Sequence, residues 1–369
     1  MQSRHAWKVG LLFVAGALLL AACGGGSAQA GTVKIRMGIS PFQDTLLPII
    51  GGQKGWFAQE GLDVQLTTLA WGDVMTAVAS RSVDVAINNT TGVVSVVHVA
   101  PDVVYWYPYN PFDQGSALLA RPSSGLKTVK DYEATGMSHA DAVQAAFKQL
   151  KGRRIITALG TDMGKEVVSA LQSVNLDYKS DVKIVDMDPD LGLAAFLSGT
   201  GDAYLGGIPQ RTRAMKEGMV VIASGPDLAP PPINGFVTTK TYATSHQDSL
   251  LKLMHVMFRI IRYCDANRND CGNAITGYLN QRTGSQMTVN DFTAFWQNWE
   301  HYDLNASAVQ RDILDPSGYS YWKKTWDQDN SSLLQQKAIP SAAAPGDFFW
   351  GEKIQQLYTA KYGSSETGV

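Results

Sequence analysis

The stretch ISPFQDTLLPIIGGQKGWFAQEGLDVQLTTLAWGDVMTAVASRSVDVAINN, residues 39–89, decides the fold of this 369-residue chain. Its apolar residues switch between alternation, which is typical of strands, and a spacing of three to four residues, which is typical of helices. Together with the segment before it, the predicted elements are strands at 33–39, 64–69 and 84–87 and helices at 45–57 and 72–80. Strands that alternate with helices predict an α/β unit built on a parallel sheet.

The same alternation returns later and predicts a second α/β unit. Its predicted elements are strands at 154–158, 182–186 and 203–206 and helices at 164–174 and 190–198. Between the units lie the polar residues 121–131 and the proline-rich residues 230–236, which we interpret as crossings. We therefore predict lobe one from 33–120 plus 236–369, including a C-terminal helical extension, and lobe two from 121–235.

Composition and charge narrow the classes of partner. The chain is 45% apolar and 17% charged with a formal net charge of −2, which is typical of a folded globular protein. Its basic residues form no run suited to a phosphate backbone, so we do not expect nucleic acid as a partner.

The N-terminal segment has the layout of a secretory signal. Basic residues precede an apolar run at 9–20, which is short for a membrane span, and small residues lead to Cys23. The segment from Leu20 to Gly24 resembles the lipobox of bacterial lipoproteins, so we predict a signal peptide at 1–22, a lipid on Cys23 (palmitate) and a flexible tether at 23–32. The alternatives are an ordinary secretory signal with an incidental cysteine, or cleavage near Ala30.

The other two cysteines, Cys264 and Cys271, flank the polar residues 265–270, which we interpret as a loop after a helix. In an oxidising compartment a disulfide between them is plausible, and two free thiols are the alternative. No histidine or further cysteine lies close in sequence, so we predict no metal site.

The opening of the α/β pattern resembles a known family. Residues 54–57, KGWF, and 60–63, EGLD, followed by Asp73, a helix, Ser82 and Asp84, resemble the thiamine-pyrimidine, nitrate, sulfonate and taurine class of periplasmic solute-binding proteins. The resemblance covers roughly residues 33–300. Residues 133–149 look like an insertion relative to that class.

The resemblance implies a two-lobed periplasmic-binding-protein fold, type II-like, with a hinge that closes on a ligand. Together with the predicted lipid on Cys23, it implies a lipid-anchored, extracytoplasmic, monomeric protein that uses no cofactor and delivers its ligand to the membrane permease and ATPase of an ABC importer. Ligands of open α/β sheets bind at the carboxyl ends of strands, which is consistent with a cleft between two such edges.

Candidate ligand contacts are therefore the side chains that follow predicted strands, although each has an alternative role as a helix cap or in packing. They are Phe42, Gln43, Asp44, Trp71, Asn88, Asn89, Thr90, Tyr107, Thr161, Asp162, Ile208 and Gln210. A carboxylate beside aromatic walls suits a nitrogen heterocycle, such as a thiamine pyrimidine precursor or a riboflavin-like compound, or an amine-bearing sulfonate such as taurine, better than nitrate.

Two other functions compete with transport. A sensory lipoprotein would have the same sequence features. A fold-related biosynthetic enzyme is less favoured, because the thiamine-pyrimidine synthase of this fold uses an active-site histidine and residues 40–91 contain none. The chain also carries no HExxH, Walker A or GxSxG motif.

Overall fold

A computed structural model describes residues 32–369. The predicted signal peptide and the lipidated Cys23 lie outside the described residues and stay predictions. Within 32–369, none of the helices combines the length and the hydropathy that crossing a membrane requires.

Ten strands in the described part of the chain form two five-stranded sheets. They are β1 (Val33–Ile39), β2 (Leu62–Thr68), β3 (Val85–Asn89), β4 (Val103–Pro111), β5 (Ala117–Ala120), β6 (Arg154–Thr157), β7 (Lys183–Asp186), β8 (Ala203–Gly206), β9 (Val220–Ser224) and β10 (Ile233–Thr239). The first sheet has the order β2-β1-β3-β10-β4 and the second has the order β7-β6-β8-β5-β9.

Residues 32–369 also contain seventeen α-helices, which pack around the two sheets. They are α1 (Pro48–Gln53), α2 (Trp56–Gln59), α3 (Val74–Ala79), α4 (Thr90–Val96), α5 (Val129–Glu133), α6 (His139–Lys148), α7 (Asp162–Gln172), α8 (Pro189–Leu197), α9 (Ile208–Lys216), α10 (Lys240–Ser245), α11 (Gln247–Ala266), α12 (Arg268–Thr283), α13 (Val289–Asn298), α14 (Ala306–Val309), α15 (Trp322–Gln336), α16 (Pro345–Phe348) and α17 (Gly351–Tyr362).

Each sheet combines parallel and antiparallel pairs. In the first sheet β1 pairs in parallel with β2 and β3, and β10 runs antiparallel between β3 and β4. In the second sheet β6 pairs in parallel with β7 and β8, and β5 runs antiparallel between β8 and β9. The predicted α/β class is confirmed. The division into lobes stays a prediction.

The sheets differ from the predicted lobe boundaries in one place. Strand β5, predicted within lobe one, belongs to the second sheet, so the chain changes sheets before it. The chain returns to the first sheet at β10, which begins at Ile233 inside the expected crossing at 230–236, because the prolines end at 232 and leave the N–H groups of the following residues free to pair. Strand β9 is not among the predicted elements.

The expected loop at 265–270 is also wrong. Helix α11 ends at Ala266 and α12 begins at Arg268, with only Asn267 outside helical geometry at φ −129° and ψ 52°. A disulfide joins Cys264 to Cys271 across this turn.

The C-terminal residues pack on the first sheet through aromatic side chains. Tyr107 of β4 donates its hydroxyl to Gln355 of α17, and its ring lies 6.3 Å from the ring of Tyr358. Trp322 and Phe349 stack at 3.9 Å between ring centres. Helix α15 packs against both α4, beside the first sheet, and α7, beside the second.

We predict that Gly235→Ala destabilises the fold, because a Cβ atom there would meet the carbonyl oxygen of Tyr107 and the hydroxyl of Tyr105. The expected loss is about 1–3 kcal/mol of unfolding free energy, as for other overpacked sites. Gly52→Ala is the matched control, because Gly52 lies in α1 and no atom stands near the position that an added methyl group would take. Unfolding in urea should show a change of at most about 1 kcal/mol for this control, in the stabilising direction.

Candidate functional site

A small cavity lies where strand ends of the two sheets meet. Phe42 and Asp44 come from the loop after β1 and Trp71 from the segment after β2, whereas Asp162 lies at the start of α7, after β6. The full lining is Phe42, Asp44, Trp71, Phe112, Asp162, Met163, Gly207 and Asn234. Both sheets therefore contribute walls, as the sequence predicted for a cleft at strand ends.

The lining combines apolar rings with carboxyl groups. The rings of Phe42 and Trp71 meet edge to face at 5.4 Å, and Phe112 completes an aromatic wall. Among the described residues that line this cavity, the charged side chains are the carboxyl groups of Asp44 and Asp162, and none is basic. An anion entering this space would meet negative charge without a compensating cation.

A hydrogen bond joins the two sides of the cleft. The indole Nε1 of Trp71 donates to Oδ1 of Asp162 at 2.8 Å, and both side chains are buried. Burial raises the pKa of Asp162, because the charged carboxylate loses its hydration, although the indole hydrogen bond opposes that rise. Trp71 thus covers the carboxylate and holds it in position.

Asp44 lies in a buried polar network. Nδ2 of Asn234 donates to Oδ2 of Asp44 at 2.5 Å and also lies 3.2 Å from Oδ1 of Asn110. Burial raises the pKa of Asp44 to about 7, and the neighbouring carboxyl of Asp162 adds to the rise. Asp44 is therefore close to the midpoint of its titration near neutral pH, so a ligand that brings positive charge can set its ionisation.

A third buried acid stands behind Asp44. Oε2 of Glu300 accepts a hydrogen bond from Nε2 of Gln43 at 2.9 Å and another from the hydroxyl of Tyr302. Burial, together with the charge of Asp44, raises the pKa of Glu300 well above its usual value. Burial therefore favours the protonated form of Glu300 more than it is favoured in an exposed glutamate.

The other predicted contacts fall in different places. Asn88, Asn89 and Thr161 line a neighbouring space, and Gln210 lines a third space; Trp71 borders both. Asn89 also caps α4, because its side chain accepts from the backbone N–H of Gly92 at 3.1 Å. Gln210 donates to Asp190 at 2.9 Å.

Four predicted contacts line none of these three spaces. Gln43 is bound to Glu300, and Thr90 donates to Asp329. Ile208 is buried in the first turn of α9. Tyr107 is fully buried and belongs to the aromatic packing with α17.

The cavity is also lined by four residues that are not among the predicted contacts: Phe112, Met163, Gly207 and Asn234. Asn234 was missed because its segment was interpreted as a crossing, whereas it lies on β10, between β3 and β4. Met163 follows Asp162 directly, and Gly207 follows strand β8, so strand-end position was a usable signal for both.

A fully buried ion pair supports the site from behind. Nζ of Lys165 on α7 lies 2.9 Å from Oδ1 of Asp329 on α15. The angle at this contact is too unfavourable for a hydrogen bond, so the two groups interact as an ion pair. The same carboxylate accepts hydroxyl hydrogen bonds from Thr90 at 2.6 Å and Thr91 at 2.7 Å at the start of α4. One carboxylate therefore ties together a helix of each sheet and a C-terminal helix.

The architecture is that of periplasmic binding proteins. The structure superposes on the alkanesulfonate-binding protein SsuA of Xanthomonas axonopodis pv. citri, bound to MOPS, with a TM-score of 0.65 and 17% identity, over 87% of this chain and 99% of that one. The nitrate-binding protein NrtA of Synechocystis PCC 6803 gives a TM-score of 0.63 and 15% identity, over 90% of this chain and 89% of that one. At these identities the likeness shows the fold.

The chain belongs to the NMT1-like family, which matches residues 28–275. The resemblance to this class predicted from residues 39–89 is thereby confirmed. A curated relative, the putative binding protein YtlA of Bacillus subtilis (strain 168), is 26% identical over 216 residues, which is 57% of this chain and 59% of that protein. The match thus spans less than two thirds of that relative. These three relatives are named as binding proteins and none as an enzyme, in agreement with the predicted class.

We predict that Lys165→Met destabilises the protein by about 3–5 kcal/mol, because it leaves the buried carboxylate of Asp329 without a cationic partner. The double variant Lys165→Met, Asp329→Leu should cost less than the sum of the two single changes, because no isolated charge remains buried. Urea unfolding measures all three.

Lys323→Met is the matched control for that series. Lys323 pairs with Asp327 on the same helix α15, but both side chains are exposed, so the change should cost less than about 0.5 kcal/mol. Equal losses at Lys165 and Lys323 would contradict the structural role given to the buried pair.

Proposed function

We propose that this chain is the extracytoplasmic solute-binding protein of an ABC importer and that it captures a small molecule with a cationic or N–H-donating nitrogen. The observation that carries the proposal is the cavity between the two sheets, where two buried carboxyl groups face aromatic rings. Membership in the NMT1-like family and the likeness to binding proteins support the carrier part of the proposal.

Charge decides the class of ligand. The relatives named above bind an alkanesulfonate and nitrate, both anions, whereas this cavity is lined by Asp44 and Asp162. A cation among these groups replaces the hydration that the carboxylates lost on burial. A plain anion has no such partner, so we favour an amine or a protonated nitrogen heterocycle.

The rings favour the same ligand. A cation close to the face of Phe42, Trp71 or Phe112 is attracted by the negative charge density of the ring, and a flat heterocycle also gains contact area there. The amide of Asn234 adds a hydrogen-bonding group. A pyrimidine precursor fits these features, and taurine fits them through its amine.

The cellular setting is part of the same proposal. We infer that residues 1–22 direct export and that a lipid on Cys23 anchors the protein outside the cytoplasmic membrane, where a monomer would deliver ligand to a permease driven by an ATPase subunit. Radiolabelled palmitate should label the wild-type protein, and Cys23→Ala should abolish the label and release the protein from membranes.

We predict that thermal-shift and titration screens of the Cys23→Ala protein will detect amines, aminopyrimidines or taurine but neither nitrate nor unsubstituted alkanesulfonates. A ligand at about 100 times its dissociation constant should stabilise the fold by about 2.7 kcal/mol, a shift of a few degrees in Tm. Asp44→Asn and Asp162→Asn should each weaken binding at least about tenfold, since each removes a charge partner.

Asp347→Asn controls for general loss of charge, because Asp347 is exposed on α16 and should leave affinity unchanged. Binding of nitrate or of an alkanesulfonate in preference to every amine would refute the ligand class while leaving the carrier function intact.

We further predict that affinity for a permanently charged quaternary ammonium ligand rises as the pH increases through about 7. Below the pKa of Asp44, about 7, the carboxyl is neutral and offers the cation no charge, so each pH unit below that value should weaken binding about tenfold. Isothermal titration between about pH 5 and about pH 8 measures the slope. The Asp44→Asn variant should show a flatter profile; an unchanged slope in that variant would assign the titration to another group.

A further inference from the structure

A second polar cluster lies away from the cavity lining, beside the end of β4. His301 and Asp303 come from the segment after α13, and Asp312 comes from the π-helical turn Gln310–Leu314. Nε2 of His301 lies 3.2 Å from Oδ1 of Asp303 and 3.3 Å from Oδ2 of Asp312, and one potential ligand atom from each residue lies within 4.8 Å of the others.

These spacings match a metal site. Tetrahedral ligands with bonds of about 2.0–2.1 Å to a zinc-like ion lie about 3.3 Å apart, which is close to both separations from His301. A single ring N–H cannot point at two carboxylates at once, whereas a cation placed among the three groups can bind all of them. The side chain of His301 is 39% exposed, which leaves one side open to water.

An unpartnered buried atom points to the same conclusion. The side chain of Asp303 is fully buried, and its Oδ2 has no hydrogen-bond partner among the described residues. A buried carboxylate oxygen in that condition carries an uncompensated desolvation cost, which a bound cation would remove. This atom distinguishes the cluster from an exposed group of acids.

The backbone holds the three side chains in place. The N–H of His301 donates to the carbonyl of Pro111, and that of Asp303 donates to the carbonyl of Tyr109, so both ligands are fixed to β4. The carbonyl of Asp312 accepts from the N–H of Ser320. A site fixed in this way loses little conformational entropy when an ion binds.

We propose that His301, Asp303 and Asp312 bind a divalent transition-metal cation. One imidazole and two carboxylates suit zinc or manganese better than calcium, which prefers oxygen ligands throughout. Arg311 pairs with Asp312, Nε to Oδ1 at 2.6 Å, but its side chain is 69% exposed and can leave into solvent when the ion binds.

The site is adjacent in sequence to the ligand cavity. Glu300, which accepts from Gln43 beside Asp44, directly precedes His301. A cation at His301 would therefore brace the segment that supports the cavity wall, so its role is structural.

The test uses the untagged Cys23→Ala protein after treatment with a chelator, titrated with Zn²⁺, Mn²⁺ and Ca²⁺ and, separately, with Co²⁺ followed by visible absorption. We expect one equivalent of Zn²⁺ to bind and to raise Tm. His301→Ala and Asp303→Asn should weaken binding about a hundredfold and remove the Co²⁺ band.

Two further variants separate metal binding from misfolding. Arg311→Ala removes the competing guanidinium and should tighten binding, a gain that damage to the fold cannot produce. His98→Ala, at an exposed histidine elsewhere, should leave binding unchanged. Absence of stoichiometric binding by any of these ions, or equal binding by the His301→Ala variant, would overturn the proposal.

Discussion

The buried contact between Lys165 and Asp329 is the interaction on which the geometry of the cleft depends. Lys165 lies one turn after Asp162 on α7, so whatever fixes the lysine also fixes the carboxylate that enters the cavity. Asp329 in turn is held by the hydroxyls of Thr90 and Thr91. A buried ion pair adds little net stability, but few alternative arrangements can satisfy both charges, so it specifies one position for the helix.

Helix α15 therefore packs on the first sheet and also contacts the helix that carries Asp162 into the cleft. Besides Asp329, its Gln328 donates to Ser169 at 2.9 Å and its Gln336 accepts from the N–H of Gly160 at 3.3 Å, both in or next to α7. Any separation of α7 from α4 would break either the Lys165–Asp329 pair or the hydrogen bonds that Thr90 and Thr91 donate to Asp329, so α15 couples the two sheets.

The sequence predicted the parts of the site that depend on local order along the chain. Phe42, Asp44, Trp71 and Asp162 each follow a strand, and the rule that ligands bind at strand ends was sufficient to select them. Asn234, on a strand adjoining β3, was hidden by the prolines before it, which indicate a crossing as readily as a strand start.

The partners that tune these residues lay beyond sequence reasoning. Glu300 and Asp329 are more than 200 residues away from the groups they contact, Gln43 and Thr90, and no periodicity relates them. Position after a strand therefore could not distinguish a residue that lines the cavity from one that bonds a distant side chain. Gln43 and Asp44 are neighbours, yet Gln43 bonds the buried Glu300 and Asp44 lines the cavity. Since the cavity charge is set by single side chains that follow strands, a common fold at 17% identity can hold an anion in one protein and, as we propose, a cation in another.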